Sequence, residues 1–270
     1  MTQIIDIGVL GAEGRMGAAI IQALRAEPKA QLSVALTSPA SRNLGQDMAE
    51  IAGLSNSGVL LSSDIGTGLE NCDVMIDFSS PKAAIDAALN MHRARCGSLV
   101  TGTTGYTSTE EKALLAAGES ITLLKSGNFS MGVNMLEALV ELATEKLNQD
   151  WDIEISEMHH RHKIDAPSGT ALMLGEAAAR GRRVALSEQQ VLSREGRGAA
   201  RQSGQIGFSA LRGGGVIGQH NVHLATELEM ITLSHEAFDR SVFASGAVAA
   251  AIWAHDKPKG LFSMRDVLGI

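Results

Sequence analysis

Aromatic residues are scarce in this chain of 270 residues, which holds one Tyr, two Trp and six Phe. Any core it forms is therefore aliphatic. Cysteine is scarcer still: Cys72 and Cys96, both in apolar settings, argue against a disulfide framework, and there is no CxxC pattern for a metal. Proline is low at 5, and no apolar run is long enough to cross a bilayer. Met1-Thr2-Gln3-Ile4 lacks the basic and apolar regions of a signal peptide, so a cytoplasmic protein is expected. Positive charge is also in deficit: the net charge of -7 argues against general nucleic-acid binding. What is present is 44% hydrophobic residues and 29 glycines, enough for a real core joined by many tight turns. The length allows two modest domains or one large one.

The first half alternates two patterns. Apolar, strand-like runs lie at 4–10, 31–36, 72–78, 97–101 and 121–124. Helical runs lie between them, one starting at Ala18 and another opened by Pro81 and running to Ala94. Strand–helix alternation of this kind predicts an α/β fold, a Rossmann-like doubly wound parallel sheet. Ligands of such sheets sit beyond the strand C-termini. Those ends here read Gly11-Ala12-Glu13-Gly14, Thr37-Ser38, Phe78-Ser79-Ser80, Gly102-Thr103-Thr104-Gly105 and Ser126-Gly127-Asn128-Phe129, all small, polar or glycine-rich. Gly11-x-x-Gly14-x-x-Gly17 is a variant of the dinucleotide loop, with a strand before it and a helix after. An ordinary structural turn is the competing reading.

After about residue 130 the pattern changes. A helix is expected over 131–147 and a strand over 151–158; short glycine-separated strands follow over 205–233, more a meander than a βαβ series. A helix returns over 241–253. The expected organisation is a dinucleotide-binding domain at 1–130 completed by 240–270, with an inserted α+β domain at 131–239 for substrate and oligomerisation. Asn128-Phe129-Ser130 lies at the handover, where a hinge cleft and a helix cap at Ser130 are both reasonable readings.

The densest motif is His159-His160-Arg161-His162-Lys163, a basic island on an acidic chain, followed by Pro167-Ser168-Gly169-Thr170 as a helix start. It reads as a solvated loop, a metal site, or an anion pocket with proton donors. Metal is disfavoured, since HExxH and CxxC are absent and Arg161 and Lys163 would repel a cation. A helix N-terminus directly after the island favours the anion pocket. His159 and Lys163 are read as exposed. Asp77, Glu154 and Glu157 could act as acids but read more simply as solvated strand-end carboxylates. The second strand ends in Thr37-Ser38-Pro39-Ala40-Ser41-Arg42, with no acid for the ribose hydroxyls. Hydroxyls and an arginine suit a 2′-phosphate, so NADPH is expected to serve at least as well as NADH; a plain polar loop is the competing reading.

The run from Glu157 through Ala171 closely resembles the signature of the dihydrodipicolinate reductase family. Gly11 to Gly17, Val100 to Gly105, Asn128 to Asn134, Ser193 to Gly196 and Met264 to Leu268 resemble further segments of that family, so the resemblance spans the chain. It implies a homotetrameric reductase of the diaminopimelate route to lysine, using NADH or NADPH on a cyclic unsaturated dicarboxylate. By that resemblance His159 is the proton donor and acceptor and Lys163 a second donor. His160, Gly169 and Thr170 hold the substrate carboxylates. Gly11, Ala12, Glu13, Gly14, Arg15 and Met16, with Gly102, Thr103, Thr104, Ser126, Gly127, Asn128 and Phe129, line the cofactor. Thr37 belongs to the same set, but stands where familiar members have an acid. No metal ligand is implied. Aspartate and homoserine dehydrogenases lack the histidine–lysine run, and a silent nucleotide sensor would not need His159 and Lys163.

Overall fold

The computed structural model describes residues 4–197 and 200–270. Met1, Thr2 and Gln3, whose sequence was read above for a leader, lie outside them. The chain forms two compact units, Met1–Met131 with Ser241–Ile270, and Gly132–Arg240.

The first unit is a seven-stranded parallel sheet. Its strands are β1 (Ile5–Leu10), β2 (Ala30–Leu36), β3 (Leu61–Ser62), β4 (Val74–Asp77), β5 (Ser98–Thr101), β6 (Thr122–Lys125) and β12 (Gly260–Phe262), in the order β12-β6-β5-β4-β1-β2-β3. Helices α1 (Arg15–Arg25), α2 (Met48–Ile51), α3 (Ile65–Glu70), α4 (Pro81–Met91) and α5 (Ser108–Gly118) connect the strands, and α9 (Ser241–His255) and α10 (Met264–Leu268) complete the unit. The short strands β3 and β12 were not among the runs read from the sequence. Two or three residues carry no measurable period, and both lie at sheet edges.

The strands are apolar on both faces because both faces are covered. Ile5, Ile7, Val9, Val74, Ile76, Val100 and Leu124 share a core with α1 and α9. Leu10, Met75, Leu99 and Leu123 point the other way, into a core with α4 and α5. Helix α9 buries Ala244, Gly246, Ala247, Ala250, Ala251 and Ala254, side chains small enough to let its backbone approach. A Cβ added at Gly246 would overlap the Phe129 carbonyl. As the composition required, the core is aliphatic; Phe129 is the one aromatic among its largest fully buried side chains.

The second unit is a five-stranded mixed sheet, ordered β11-β10-β7-β9-β8. Its strands are β7 (Asp152–His159), β8 (Gln190–Val191), β9 (Ile206–Arg212), β10 (Gly218–Ala225) and β11 (Met230–Ala237). Helices α6 (Met131–Lys146), α7 (Gly169–Arg182) and α8 (Leu186–Gln189) accompany it. It is not a pure meander: β7 pairs parallel with β9, a pairing made by a crossover through α7. Strict alternation along β7 and β10 buries Ile153, Ile155, Val222 and Leu224 against Leu136, Val140 and Leu174 of α6 and α7. The opposite face carries Glu154, Ser156, Met158, Asn221 and His223, with Leu211 and Met230 exposed near its edges.

Candidate active site

In the first unit, strand order reverses at β1, which pairs with β2 on one side and β4 on the other. A parallel sheet opens a crevice at that point. A cleft of about 720 Å³ lies there, lined by Leu10, Gly11, Gly14, Thr37, Ser38 and Phe78 among others. Gly11 has φ +83°, and a Cβ on it would lie 2.6 Å from the Phe78 carbonyl, so only glycine fits. A Cβ on Gly17 would come within 2.4 Å of the Gly11 and Ala12 carbonyls, which is how α1 packs closely on β1. Gly14 caps α1 without a side-chain hydrogen bond, and Gly14 and Arg15 are exposed while Met16 is half-buried. The first-turn amides of α1 therefore meet no capping side chain, which fits a diphosphate.

Three further strand ends supply the remaining segments. Gly102 faces the Phe78 ring so closely that a Cβ would sit 2.2 Å from it. Thr103 Oγ1 accepts from the Ser79 amide at 3.0 Å, which ties the loops after β4 and β5 together. Ser126 Oγ donates to the Asn128 carbonyl at 2.7 Å, and the Phe129 ring packs on Phe78 at 5.5 Å. Thr104 and Gly127 share a smaller cleft of about 370 Å³ with Tyr106 and Lys125. Asp77 is not the solvated carboxylate read from the sequence: it is fully buried. Burial pushes its pKa up, against hydrogen bonds from Ser79, Thr101 and Thr103. Its carboxylate accepts from the Thr101 hydroxyl at 2.6 Å and from the Ser79 amide at 3.0 Å, and so braces both loops.

The end of β2 also differs from its sequence reading. A carboxylate is present there, supplied by the glycine loop. Glu13 accepts from Thr37 Oγ1 at 2.5 Å and from Asn43 Nδ2 at 2.7 Å. Those residues lie 24 and 30 positions away, so a search along β2 alone could not find the acid.

The second unit gathers the basic island. The alternation that buries Ile153 and Ile155 continues through Glu157 and His159, so both point to the helix side of the sheet. Neither is exposed, against the sequence reading; His159 is 8% accessible and Glu157 1%. Glu157 holds three partners. Arg212 grips it bidentately at 2.7 and 2.8 Å, the Ser168 amide donates at 3.0 Å, and His159 Nδ1 lies 2.7 Å away. Burial works against the Glu157 charge, but Arg212, His159 and Ser168 outweigh it and hold its pKa below the usual carboxylate value. An ionised carboxylate only accepts, so Nδ1 of His159 carries a proton. That leaves Nε2 as the exchanging atom. Nε2 would lie 3.1 Å from a Cβ on Gly218.

His220, the register partner of Glu157 on β10, packs edge-on to His159 at 5.1 Å and meets Ser168 Oγ through Nε2 at 3.0 Å. Burial, with the neighbouring His159, lowers its pKa to about 4, so it is neutral at pH 7. Ser168 Oγ also caps α7 by accepting from Ala171, leaving Gly169 and Thr170 in the helix's first turn. Lys163 Nζ is held by Asp165 at 2.8 Å. His160 is half-buried; burial and then the nearby Arg240, His162, His159 and Lys163 lower its pKa. Thus Glu157, Arg212, Gly218 and His220 join the predicted His159, His160, Lys163, Gly169 and Thr170 in one unit. The period-two pattern of β7 was the available signal for Glu157; Arg212 and His220 gave none.

A glycine loop at the switch point of a parallel sheet, with a separate unit carrying a buried Glu–His pair, defines a class: two-unit, nicotinamide-dependent oxidoreductases. Comparison with known proteins narrows it. Residues 5–129 match the family description "Dihydrodipicolinate reductase, N-terminus", and residues 132–268 match "Dihydrodipicolinate reductase, C-terminus". The 4-hydroxy-tetrahydrodipicolinate reductase of Parvibaculum lavamentivorans is 49% identical over 271 residues, covering 100% of both chains. That of Agrobacterium fabrum is 49% identical over 263 residues, 97% of this chain and 95% of its own. A solved dipicolinate-bound dihydrodipicolinate reductase from Paenisporosarcina sp. TG-14 shares the fold, with TM-score 0.74 and 22% identity over 97% of this chain and 98% of that one. The chain belongs to the dihydrodipicolinate reductase family.

Proposed function

We propose that the chain reduces 4-hydroxy-tetrahydrodipicolinate, by way of dihydrodipicolinate, to tetrahydrodipicolinate in the diaminopimelate route to lysine, with NADH or NADPH. The observation that carries the reading is the Glu157–His159 pair, 2.7 Å apart, beside Lys163 and the first turn of α7. It is a proton donor set against groups suited to an anion.

The glycine loop fits a dinucleotide, because Gly11 admits no Cβ and α1 begins without a side-chain cap. Gly11 to Met16 would hold the diphosphate, Thr37 and Glu13 the adenosine ribose, and Gly102 to Thr104 with Ser126 to Phe129 the nicotinamide end. A reduced nicotinamide bound there supplies a hydride. The chain's own residues do the rest. Glu157 fixes the His159 ring so that Nε2 delivers or takes the proton that charge on the reduced imine demands. Lys163 is the second donor. His160 and the Gly169–Thr170 turn hold the two substrate carboxylates, where N–H donors and fixed positive charge suit them.

The open face of the mixed sheet, with Ser156, Asn221 and His223 flanked by Leu211 and Met230, is read as the surface on which four copies assemble. Sedimentation should show a tetramer. A cytoplasmic location is part of the same reading, supported by two free, buried cysteines; no helix among the described residues is long and apolar enough to cross a membrane. The deciding assay follows NADH or NADPH oxidation with freshly made condensation product of pyruvate and aspartate semialdehyde. Tetrahydrodipicolinate should form in step with oxidised cofactor. Failure of oxidation with folded, cofactor-binding protein would overturn the reading.

A further inference from the structure

Glu13 sits between the first two glycines of the loop, yet its carboxylate reaches the end of β2. One oxygen accepts from Thr37 Oγ1 at 2.5 Å and the other from Asn43 Nδ2 at 2.7 Å. The side chain is therefore fixed in place, with further lone pairs on each oxygen. Its partner Thr37 lines the main cleft, together with Ser38, Gly11 and Gly14. In dinucleotide folds an acid at this strand end binds the ribose hydroxyls, and a cation here admits a 2′-phosphate. We infer that Glu13 is the residue that selects the cofactor, accepting from the adenosine ribose hydroxyls and excluding a 2′-phosphate, so that NADH is preferred. The inference rests on reading this cleft as the dinucleotide site.

Three observations support it beyond the position. Hydrogen bonds from Thr37, then Ser41 and Asn43, lower the Glu13 pKa, so the group is charged at neutral pH. Lys82, which lines the same cleft, is paired with Asp86 at 2.6 Å. Arg15 and Arg42 are exposed and face solvent screening, whereas Glu13 is half-buried. A phosphate of about −1.5 to −2 charge beside a fixed carboxylate is disfavoured by at least about tenfold. The expectation that hydroxyls and Arg42 favour NADPH is thereby reversed, because its premise was a strand end without an acid.

The test is calorimetric titration of the purified protein with NADH, NADPH, 5′-AMP and 2′,5′-ADP, without substrate. The native chain should bind NADH over NADPH, and 5′-AMP over 2′,5′-ADP, by at least about tenfold. Glu13→Gln, the same shape without charge, should remove most of that ratio by tightening the phosphorylated member of each pair. Glu13→Ser should do the same with the side chain shortened. Thermal melts should show Glu13→Gln near the native chain and Glu13→Ser modestly lower, with the hydrogen bonds to Thr37 and Asn43 lost, and both folded. Tighter NADPH binding by the native chain, or an unchanged ratio in both variants, would overturn the role of Glu13 while leaving the dinucleotide site standing. Absence of binding by either cofactor would overturn both.

Discussion

Around Gly11 the polar groups offered to a ligand belong mainly to the backbone, with Thr37 and Glu13 beside them. Around His159 they belong to side chains paired below the surface. The first arrangement depends on φ and on the absence of Cβ atoms, so it is as good as the local chain geometry. The second depends on charge balance: Arg212 and the Ser168 amide keep Glu157 ionised, and Glu157 in turn fixes His159. Damage to the first should appear as lost stability and weak cofactor binding. Damage to the second should appear as lost turnover, with binding kept.

The largest effect should come from the reacting groups themselves. His159→Gln and Lys163→Ala should each lower kcat by about 10²- to 10⁴-fold while NADH binding stays near native. Because His159 is buried, a modest fall in Tm is expected in its variant, but Glu157 retains Arg212 and the Ser168 amide. Steady-state kinetics with calorimetric cofactor binding checks this. Near-normal turnover in either variant would remove that residue from the chemistry.

A pair of glycine variants then sets the two regions side by side. Gly218→Ala places a methyl 3.1 Å from His159 Nε2, at a position with no positive φ to strain. Its kcat should fall by up to about 10²-fold, the scale of a misplaced reacting group, with Tm nearly unchanged. Gly11→Ala forces a side chain at φ +83° against the Phe78 carbonyl. Here about 1–3 kcal/mol of stability should be lost and cofactor binding weakened. The opposite pattern, a stable Gly11→Ala and an unstable Gly218→Ala, would mean that backbone strain lies at Gly218 and not at Gly11.

These two regions were not equally legible. The glycine loop is a local pattern, and the parallel strands announce themselves because burial on both faces makes them apolar throughout. His159 and Lys163 were legible as a cluster. Their support was not, since Arg212 and His220 come from β9 and β10, 55 residues from Glu157 and 52 residues from Ser168. Glu157 was read as solvated because its charge was weighed alone. Continuing the period of Ile153 and Ile155 by one step would have placed it inside. Glu13 was missed as the strand-end acid for the same reason: the chain supplies it from a neighbouring loop instead of from β2.

Acid titration should separate the regions next. The folded-state pKa of His220 is lowered from the ordinary 6.5 to about 4 by burial and His159. Between those values the unfolded chain binds a proton that the folded chain refuses, so stability falls as pH drops through this window. The whole shift corresponds to about 3 kcal/mol. Glu157, whose folded pKa is depressed, keeps its stabilisation above the ordinary carboxylate value and loses it only as pH falls through its lower folded pKa. Urea unfolding at several pH values between 6.5 and 4.5 should therefore show a slope in the native chain that flattens in His220→Gln. Identical slopes would mean that His220 does not stay neutral in the folded state.

The smallest effect compares two helix starts. Helix α1 begins at Gly14 with no side-chain cap, whereas α7 begins at Ser168, whose hydroxyl accepts from Ala171 at 3.1 Å. Both starts are read as facing an anion, but at α7 the Ser168 hydroxyl also takes the Ala171 amide and meets His220. Ser168→Ala removes the cap and the partner of His220 Nε2, but leaves the Ser168 backbone amide on Glu157. The loss should be about 1–2 kcal/mol, a Tm drop of several degrees. Since His159 keeps its carboxylate partner, kcat should change by less than about tenfold, and cofactor affinity not at all. Differential scanning calorimetry and steady-state kinetics on the same preparation give both numbers. A collapse of kcat with unchanged Tm would place the Ser168 hydroxyl in the chemistry instead of in the frame that supports it.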